Sequence, residues 1–230
     1  MSKSVNFIEL ISGGKLPEEL VGTWIVMAIL LVFGFAARRA LMRAADAVRP
    51  DEGFSLRSLA EVLVEQIDSF VHSVMATHGY RKLVPFLGTL FLFILAANLF
   101  GLIPGMEPPT ANSNLTFALG ATAFCYFIYQ GFAANGVGYL RNFLGPLLPL
   151  APLMLPIELA DHLFRPFSLG VRLYANMFAD HQVLSIFTAL TKLVVPVAFY
   201  ALGGIVCVIQ ALIFVVLTMS YIKLAQAHDH

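Results

Sequence analysis

Five long runs of apolar residues divide this chain, at residues 20–37, 83–103, 115–134, 156–189 and 197–222. An α-helix rises about 1.5 Å per residue, so roughly 20 apolar residues cross the ~30 Å hydrocarbon core of a bilayer. The run 156–189 is longer than a crossing needs, since it would extend about 50 Å as a helix. The pattern predicts an all-α integral membrane protein with five membrane-crossing helices, the last two forming a long tilted hairpin.

The segment 55–78 has a different pattern from these runs. Its apolar residues recur at three- and four-residue spacing, while the other side of the helix carries Arg57, Glu61, Glu65, Asp68 and His72. This spacing predicts an amphipathic helix that lies on the membrane surface or against a partner, with the charged side in solvent.

The composition agrees with a membrane protein and excludes an ordinary soluble domain. Hydrophobic residues make up 59% of the 230 residues and charged residues only 12%, and the mean hydropathy is +0.81. The 14 Lys and Arg balance the 14 Asp and Glu, so we expect membrane lipid and protein partners and no nucleic acid.

The positions of the basic residues predict the orientation. Arg38, Arg39, Arg43 and Arg49 follow the first run, and cytoplasmic ends of spans carry such clusters. The N-terminus is then outside and the C-terminus in the cytoplasm. The predicted organisation is an external segment 1–19, a first span 20–37, a cytoplasmic segment 38–82, a two-span hairpin 83–134, a cytoplasmic loop 135–155, and a long hairpin 156–230 ending in a cytoplasmic tail.

The fourth run carries charges that are costly in lipid and that indicate a functional site. At about 100° per residue, most of its polar side chains fall within roughly 40° of one line on the helix. The members of this polar stripe are Glu158, His162, Arg165, Arg172, Asn176 and Asp180, with Asp161 and Ser168 at its edge; His181 points elsewhere.

Arg172 lies near the middle of the run, where its side chain does not easily reach water. The candidate acids Asp180 and Glu158 are eight and fourteen residues away, beyond the reach of neighbours on one helix. A water-lined cavity or a carboxylate on another chain is therefore the better interpretation than a packing pair. In the last run Gln210 is isolated among apolar residues, which fits helix packing as well as a site.

The segment 166–181 reads PFSLGVRLYANMFADH and resembles the signature PxSLxxRLxxNxxA of the a-subunit family of bacterial-type F1Fo ATP synthases. Residues 209–214, IQALIF, resemble the final helix of that family. Residues 98–104, NLFGLIP, resemble the end of its second span.

The resemblance implies a non-catalytic stator subunit in the bacterial inner membrane, which provides two offset proton half-channels to a ring of c subunits and couples proton translocation to rotation. Its expected partners are the c-subunit ring, with a buried carboxylate opposite Arg172, and b-type peripheral stalk subunits. Protons are favoured over sodium as the coupling ion, and no cofactor or metal is expected.

The same resemblance distributes the polar residues between the two half-channels. Asn176 and Gln210 match family positions near the outer one, with Asp180 and His181 also toward the outside. Toward the cytoplasm lie Glu158, Asp161, His162 and Ser168.

One pair departs from the family pattern. Many members carry a glutamate at the position of His181 and a histidine at that of Gly203, or the reverse, so either Asp180 or His181 carries the outer relay. Two other classes stay open from the residues alone: a self-contained ion channel or transporter, and a structural assembly subunit.

Overall fold

The computed structural model describes residues 17–43, 55–75, 79–103, 106–136, 139, 151–190 and 194–226. These residues form the helices α1 Glu18–Arg43, α2 Leu56–Met75, α3 Val84–Phe100, α4 Ser113–Asn135, α5 Ala151–Leu190 and α6 Val194–Gln226. Short 3-10 turns occupy Tyr80–Lys82 and Pro109–Ala111, and no β-strand occurs in the described ranges. The predicted all-α class is confirmed.

Some predictions fall outside the described residues. They concern the external segment up to residue 16, Arg49, most of the loop 135–155, and the tail after residue 226.

Within the described residues, three helices are long and apolar enough to cross a membrane, over Leu20–Met42, Ser113–Asn135 and Pro196–Gln226. They correspond to the first, third and fifth apolar runs. Helix α3 is apolar but has 17 residues, fewer than the run 83–103 suggests. Helix α5 has 40 residues and begins at Ala151, five residues before the apolar run at 156.

The chain divides into two compact units, Met1–Pro109 and Thr110–His230. In the first, α1 packs on both α2 and α3, and α2 also packs on α3. Val26 of α1 forms a buried cluster with Ala97 and Phe100 of α3. Apolar side chains at helical spacing thus hold α1 against α3.

Helix α2 differs from its sequence pattern at Arg57. The pattern places this arginine on a solvated side, yet its side chain is only 7% exposed and its Nε donates to Glu61 Oε1 at 2.7 Å. Leu59 and Val62, which the pattern assigns to the apolar side, are instead about half exposed. The prediction of a solvated Arg57 is wrong, because its guanidinium is buried in the first unit and is compensated there by the carboxylate of Glu61.

In the second unit, α4, α5 and α6 pack against one another in all three pairings. Glycines lie at the contact between α4 and α5. A Cβ on Gly120 would lie 2.6 Å from the backbone oxygen of Pro166, and one on Gly170 would lie 2.9 Å from Phe117 Cδ1. Small residues at a crossing let two helix backbones approach closely.

Polar contacts join α4 and α6 near the ends of both helices. Asn135 Nδ2 donates to the carbonyl oxygen of Ala225 at 3.1 Å, and Gln226 Nε2 donates to Gln130 Oε1 at 3.5 Å. This end of the second unit is therefore fixed by side-chain hydrogen bonds as well as by apolar packing.

Candidate proton-path site

Helix α5 presents Arg172 on its exposed side. Leu169, Leu173 and Met177 are at most 2% exposed and form the buried side of the helix. Arg172 and Ser168 are exposed, and Phe164, 65% exposed, lies farther along the same surface. A permanently charged guanidinium therefore stands on an apolar surface close to the middle of a 40-residue helix.

Of the two arginines of α5, Arg172 forms no ion pair with the described part of the chain, whereas Arg165 does. Arg165 pairs with Asp161 through Nη2 and Oδ2, and its guanidinium carbon also lies 5.5 Å from the ring centre of Tyr221 on α6. Arg165 thus has an acid on its own helix and an aromatic ring on a neighbouring one. The charge of Arg172 remains available to a group outside the described residues.

The predicted inner residues Glu158, Asp161 and His162 do come together. Possible ligand atoms of the three side chains lie within 4.8 Å of one another. His162 is 7% exposed, Glu158 is half-buried, and Asp161 is exposed. One turn of α5 therefore holds a buried imidazole next to two carboxylates.

The contacts of this cluster favour proton chemistry over metal binding. The carboxylate of Asp161 is already paired with the guanidinium of Arg165. His162 Nδ1 lies 2.9 Å from the carbonyl oxygen of Glu158, and Nε2 lies 3.3 Å from the hydroxyl oxygen of Tyr139. Because both ring nitrogens have hydrogen-bonding partners, neither is directed toward a cation.

Tyr139 also contacts this cluster, although the sequence pattern did not predict it. It lies in the connection between α4 and α5, 23 residues from His162, and is 2% exposed. Burial raises the pKa of its hydroxyl and Glu158 adds to the rise, while Arg165 opposes it, so the hydroxyl keeps its proton near neutral pH. No helical spacing links it to the polar stripe, so the sequence carried no signal for it.

The predicted outer residues are spread over two helices. On α5, Asn176, Asp180 and His181 are half-buried, and on α6 Gln210 is 8% exposed. His181 Nδ1 is a buried atom with no hydrogen-bond partner among the described residues. This end therefore holds polar groups without the hydrogen-bonded cluster found around His162.

The polar stripe is one line on the helix but not one environment. His162 is buried, Arg172 is exposed and Asn176 is half-buried. A helix of 40 residues passes different neighbours along its length, so side chains on one line meet different surroundings. Ser168, at the edge of the stripe, is exposed one turn before Arg172.

The chain that carries these residues matches the model of a known protein family. The family model for the ATP synthase A chain covers residues 20–223, which include α5 with Arg172 and α6 with Gln210. The chain belongs to the ATP synthase A chain family. The family expected from the signature around Arg172 is thereby confirmed.

Individual members of the ATP synthase A chain family align over nearly the whole chain. ATP synthase subunit a of Bdellovibrio bacteriovorus is 43% identical over 229 residues, covering 99% of this chain and 100% of that protein. ATP synthase subunit a 1 of Pelobacter propionicus is 41% identical over 213 residues, covering 92% of this chain and 89% of that protein. ATP synthase subunit a of Solidesulfovibrio magneticus is 38% identical over 215 residues, covering 94% and 87%.

Members of the ATP synthase A chain family are non-catalytic membrane subunits of the enzyme complex, and this chain is accordingly a stator and proton-channel subunit of the membrane sector Fo. The predictions of its function and of its non-catalytic character are confirmed. The family implies Fo partners such as the c-subunit ring and the b subunits. The long apolar helices of this chain agree with a membrane location.

Proposed function

We propose that this subunit provides two offset proton routes to the c-subunit ring and that Arg172 separates them, facing the buried carboxylate of each passing c subunit. The observation that carries the proposal is the exposure of Arg172 on an apolar surface of α5 without an ion pair in the described part of the chain. A lone charge in that position is costly in lipid, at ~2.5–3.5 kcal/mol or more. A carboxylate on a partner chain offsets this cost.

The chemistry of a fixed cation fits this position. A guanidinium stays charged at any physiological pH, so it attracts a carboxylate but does not relay protons. A c-subunit carboxylic acid that arrives beside Arg172 is therefore driven to release its proton. Once it turns back into lipid, the neutral form is favoured, since a bare charge there is costly. Arg172 in this way blocks direct passage and forces each proton to travel with the ring.

The outer route of the proposal uses Asn176, Asp180 and His181 of α5 together with Gln210 of α6. Their half-buried or buried positions on two packed helices support a path between α5 and α6. Protons entering here from outside would reach the ring on one side of Arg172.

The inner route uses Glu158, Asp161, His162 and Ser168. It follows the orientation predicted from the basic residues, with the N-terminus outside and the C-terminus in the cytoplasm. The proximity of Glu158, Asp161 and His162 supports a shared role at one end of the path. A proton that crosses from the outer to the inner route gains ~2.3 kcal/mol per 100 mV of membrane potential, which rotation of the ring transmits to the soluble catalytic head.

The proposal also includes five membrane-crossing helices, of which α5 is longer than the membrane is thick. Helix α5 would extend about 60 Å if straight, against ~30 Å of hydrocarbon, so it must tilt or bend. Pro156 and Pro166 lie inside α5. Each removes one backbone hydrogen bond and favours a bend, and together with the length they support a tilted hairpin of α5 and α6 along the ring.

The test is Arg172→Lys in the assembled complex, measured as ATP-driven proton pumping into inverted membrane vesicles. A compact ammonium does not replace a planar guanidinium fork, so we expect pumping to fall roughly tenfold or more. The matched control is Arg81→Lys, which changes an exposed arginine in the turn Tyr80–Lys82 and should leave pumping unchanged.

Two results would contradict the proposal. Normal coupled pumping by Arg172→Lys would show that the arginine does not act on the ring. Proton conduction by this chain alone in liposomes, without c subunits, would identify a self-contained channel.

A further inference from the structure

We propose that Tyr139 is a positioning residue of the inner proton route, whose hydroxyl keeps the His162 imidazole ready to take up and release the transported proton at Nε2. The inference rests on the proposed function above, because it assigns a role within the inner route. It concerns a tyrosine far from the polar stripe in sequence and in contact with it in space.

The hydrogen bonds of His162 select one form of its ring. Nδ1 lies 2.9 Å from the carbonyl oxygen of Glu158, and a carbonyl oxygen only accepts, so Nδ1 carries the hydrogen of this bond. In the neutral ring Nε2 is then the unprotonated nitrogen. The hydroxyl of Tyr139 lies 3.3 Å from Nε2 and donates to it.

A tyrosine hydroxyl suits both protonation states of the ring. It donates to the neutral Nε2, and after Nε2 gains a proton the hydroxyl turns and its oxygen accepts the new N–H. The proton comes from the c-subunit carboxylic acid through water, forms the Nε2–H bond, and leaves to cytoplasmic water when that bond breaks. No atom of the imidazole has to move, because the rotating hydroxyl makes the adjustment.

The packing around Tyr139 holds its ring in place. Tyr139 is 2% exposed, and its ring lies 5.1 Å from that of Phe132 in an edge-to-face arrangement. Gly131 of α4 makes room for it, since a Cβ there would stand 2.7 Å from Tyr139 Cε2. A side chain so enclosed offers its hydroxyl to His162 in one geometry.

Among the described residues, the charged and titratable groups around His162 come from α5, from α6 and from the connection between α4 and α5. On α5, Glu158 Oε1 lies 3.7 Å from Nδ1, and Asp161, the residue before His162, is paired with Arg165. The α4–α5 connection supplies Tyr139, and on α6 Tyr221 lies beneath Arg165. From α4, Phe127 adds an aromatic ring 6.3 Å from the imidazole. Glu158 thus lies on the Nδ1 side of the ring and Tyr139 on the Nε2 side.

The experiment is Tyr139→Phe in the assembled complex. Proton uptake from the cytoplasmic side is measured as a function of pH in inverted vesicles stripped of the catalytic head, with a lumen-negative potassium diffusion potential. The substitution removes a hydrogen bond from both forms of the ring. The bond that the charged ring makes through Nε2–H is charge-assisted and therefore the stronger of the two, so its loss disfavours proton binding. We expect the pH above which uptake falls to move down by about one unit, which is a tenfold change in proton binding.

Two comparisons separate positioning from general damage. Tyr129→Phe, which changes a tyrosine of α4 that is 65% exposed, should leave the pH profile unchanged. In a His162→Gln background, Tyr139→Phe should cause no additional shift, because the residue through which it acts is gone. An unshifted profile in Tyr139→Phe, or the same shift with and without His162, would overturn the inference.

If Tyr139→Phe lowers the amount of complex in the membrane, the pH profile of Gly131→Ala tests the positioning role of Tyr139 instead. Its added methyl group pushes the intact tyrosine ring out of place, so a shift in the same direction supports the inference and an unchanged profile overturns it. Arg172→Lys in the same assay separates the two proposals. Normal conduction there would refute the proposed function, whereas failure confined to the Tyr139 variants would refute the positioning role alone.

Discussion

Gly120 of α4 and Pro166 of α5 lie so close together that a Cβ on Gly120 would stand 2.6 Å from the carbonyl oxygen of Pro166. The atom it would meet belongs to the backbone and has no rotamer to move into. This contact between α4 and α5 lies six residues before Arg172 on α5. The placement of this part of α5, which carries Arg172, thus depends on a glycine in a different helix.

Gly120→Ala should therefore weaken both the subunit and its function. Forcing a methyl group into a packed contact costs typically ~1–3 kcal/mol and shifts the backbone. We expect less assembled complex in the membrane, and reduced ATP-driven pumping by the complex that does assemble. The measurements are immunoblots of purified complex and pumping normalised to its amount.

The control for this variant is Gly34→Ala in α1. A Cβ on Gly34 would meet nothing within 4 Å, and alanine is the better helix former by ~1 kcal/mol. Gly34→Ala should leave assembly and pumping at the parental level. Equal losses from the two variants would show that glycine flexibility, and not the contact with Pro166, matters.

The buried arginine of α2 leads to a second prediction. Arg57 is 7% exposed at its side chain and depends in part on Glu61, whose side chain is 34% exposed. Glu61→Ala removes a charged acceptor from a buried guanidinium, which should cost about 1–2 kcal/mol once partial exposure of the pair is considered. Thermal denaturation of the solubilised complex, followed by loss of this subunit, measures the effect.

Glu65→Ala is the matched control because Glu65 is exposed on the same helix. Its removal should change the denaturation temperature little, since isolated surface charges contribute ~0–1 kcal/mol. A Glu65→Ala variant as unstable as Glu61→Ala would argue that the acidic side of α2 acts through its overall charge.

Sequence periodicity predicted the features that a single helix determines and missed those that depend on neighbours. The apolar runs located α1, α4 and α6, because a crossing requires a minimum apolar length. The charges of α5 identified the stripe around Arg172. Periodicity did not predict that Arg57 is buried, since the same helix pattern fits several ways of covering it with α1 and α3.

The environment of His162 illustrates the same limit at the candidate site. Its contact with the Glu158 carbonyl follows from four-residue spacing on one helix, and the Asp161–Arg165 pair has the same spacing. The contact with Tyr139 joins residues 23 positions apart through a glycine- and proline-rich connection, for which the sequence has no periodic signal. Tertiary packing alone brings that hydroxyl to the imidazole.

At the outer end of the path, either Asp180 or His181 carries the proton relay, and substitution of each residue distinguishes the two. Asp180 belongs to the polar stripe and is half-buried on α5, which packs on α6, the helix that also carries Gln210. His181 is one residue farther along and points away from the stripe. We expect Asp180→Asn to slow proton uptake from the outer side more than His181→Gln does, roughly severalfold, because the amide no longer takes up and releases a proton.

Uptake from the outer side is measured in right-side-out vesicles under an imposed potential, with both variants compared at equal amounts of complex. Gln210→Leu serves as a reference, since it removes a non-titrating polar group from α6 and should alter the rate without altering its pH dependence. Asp180→Asn, in contrast, should change both. Equal effects of Asp180→Asn and His181→Gln, or a larger effect of the latter, would count against Asp180 as the outer relay.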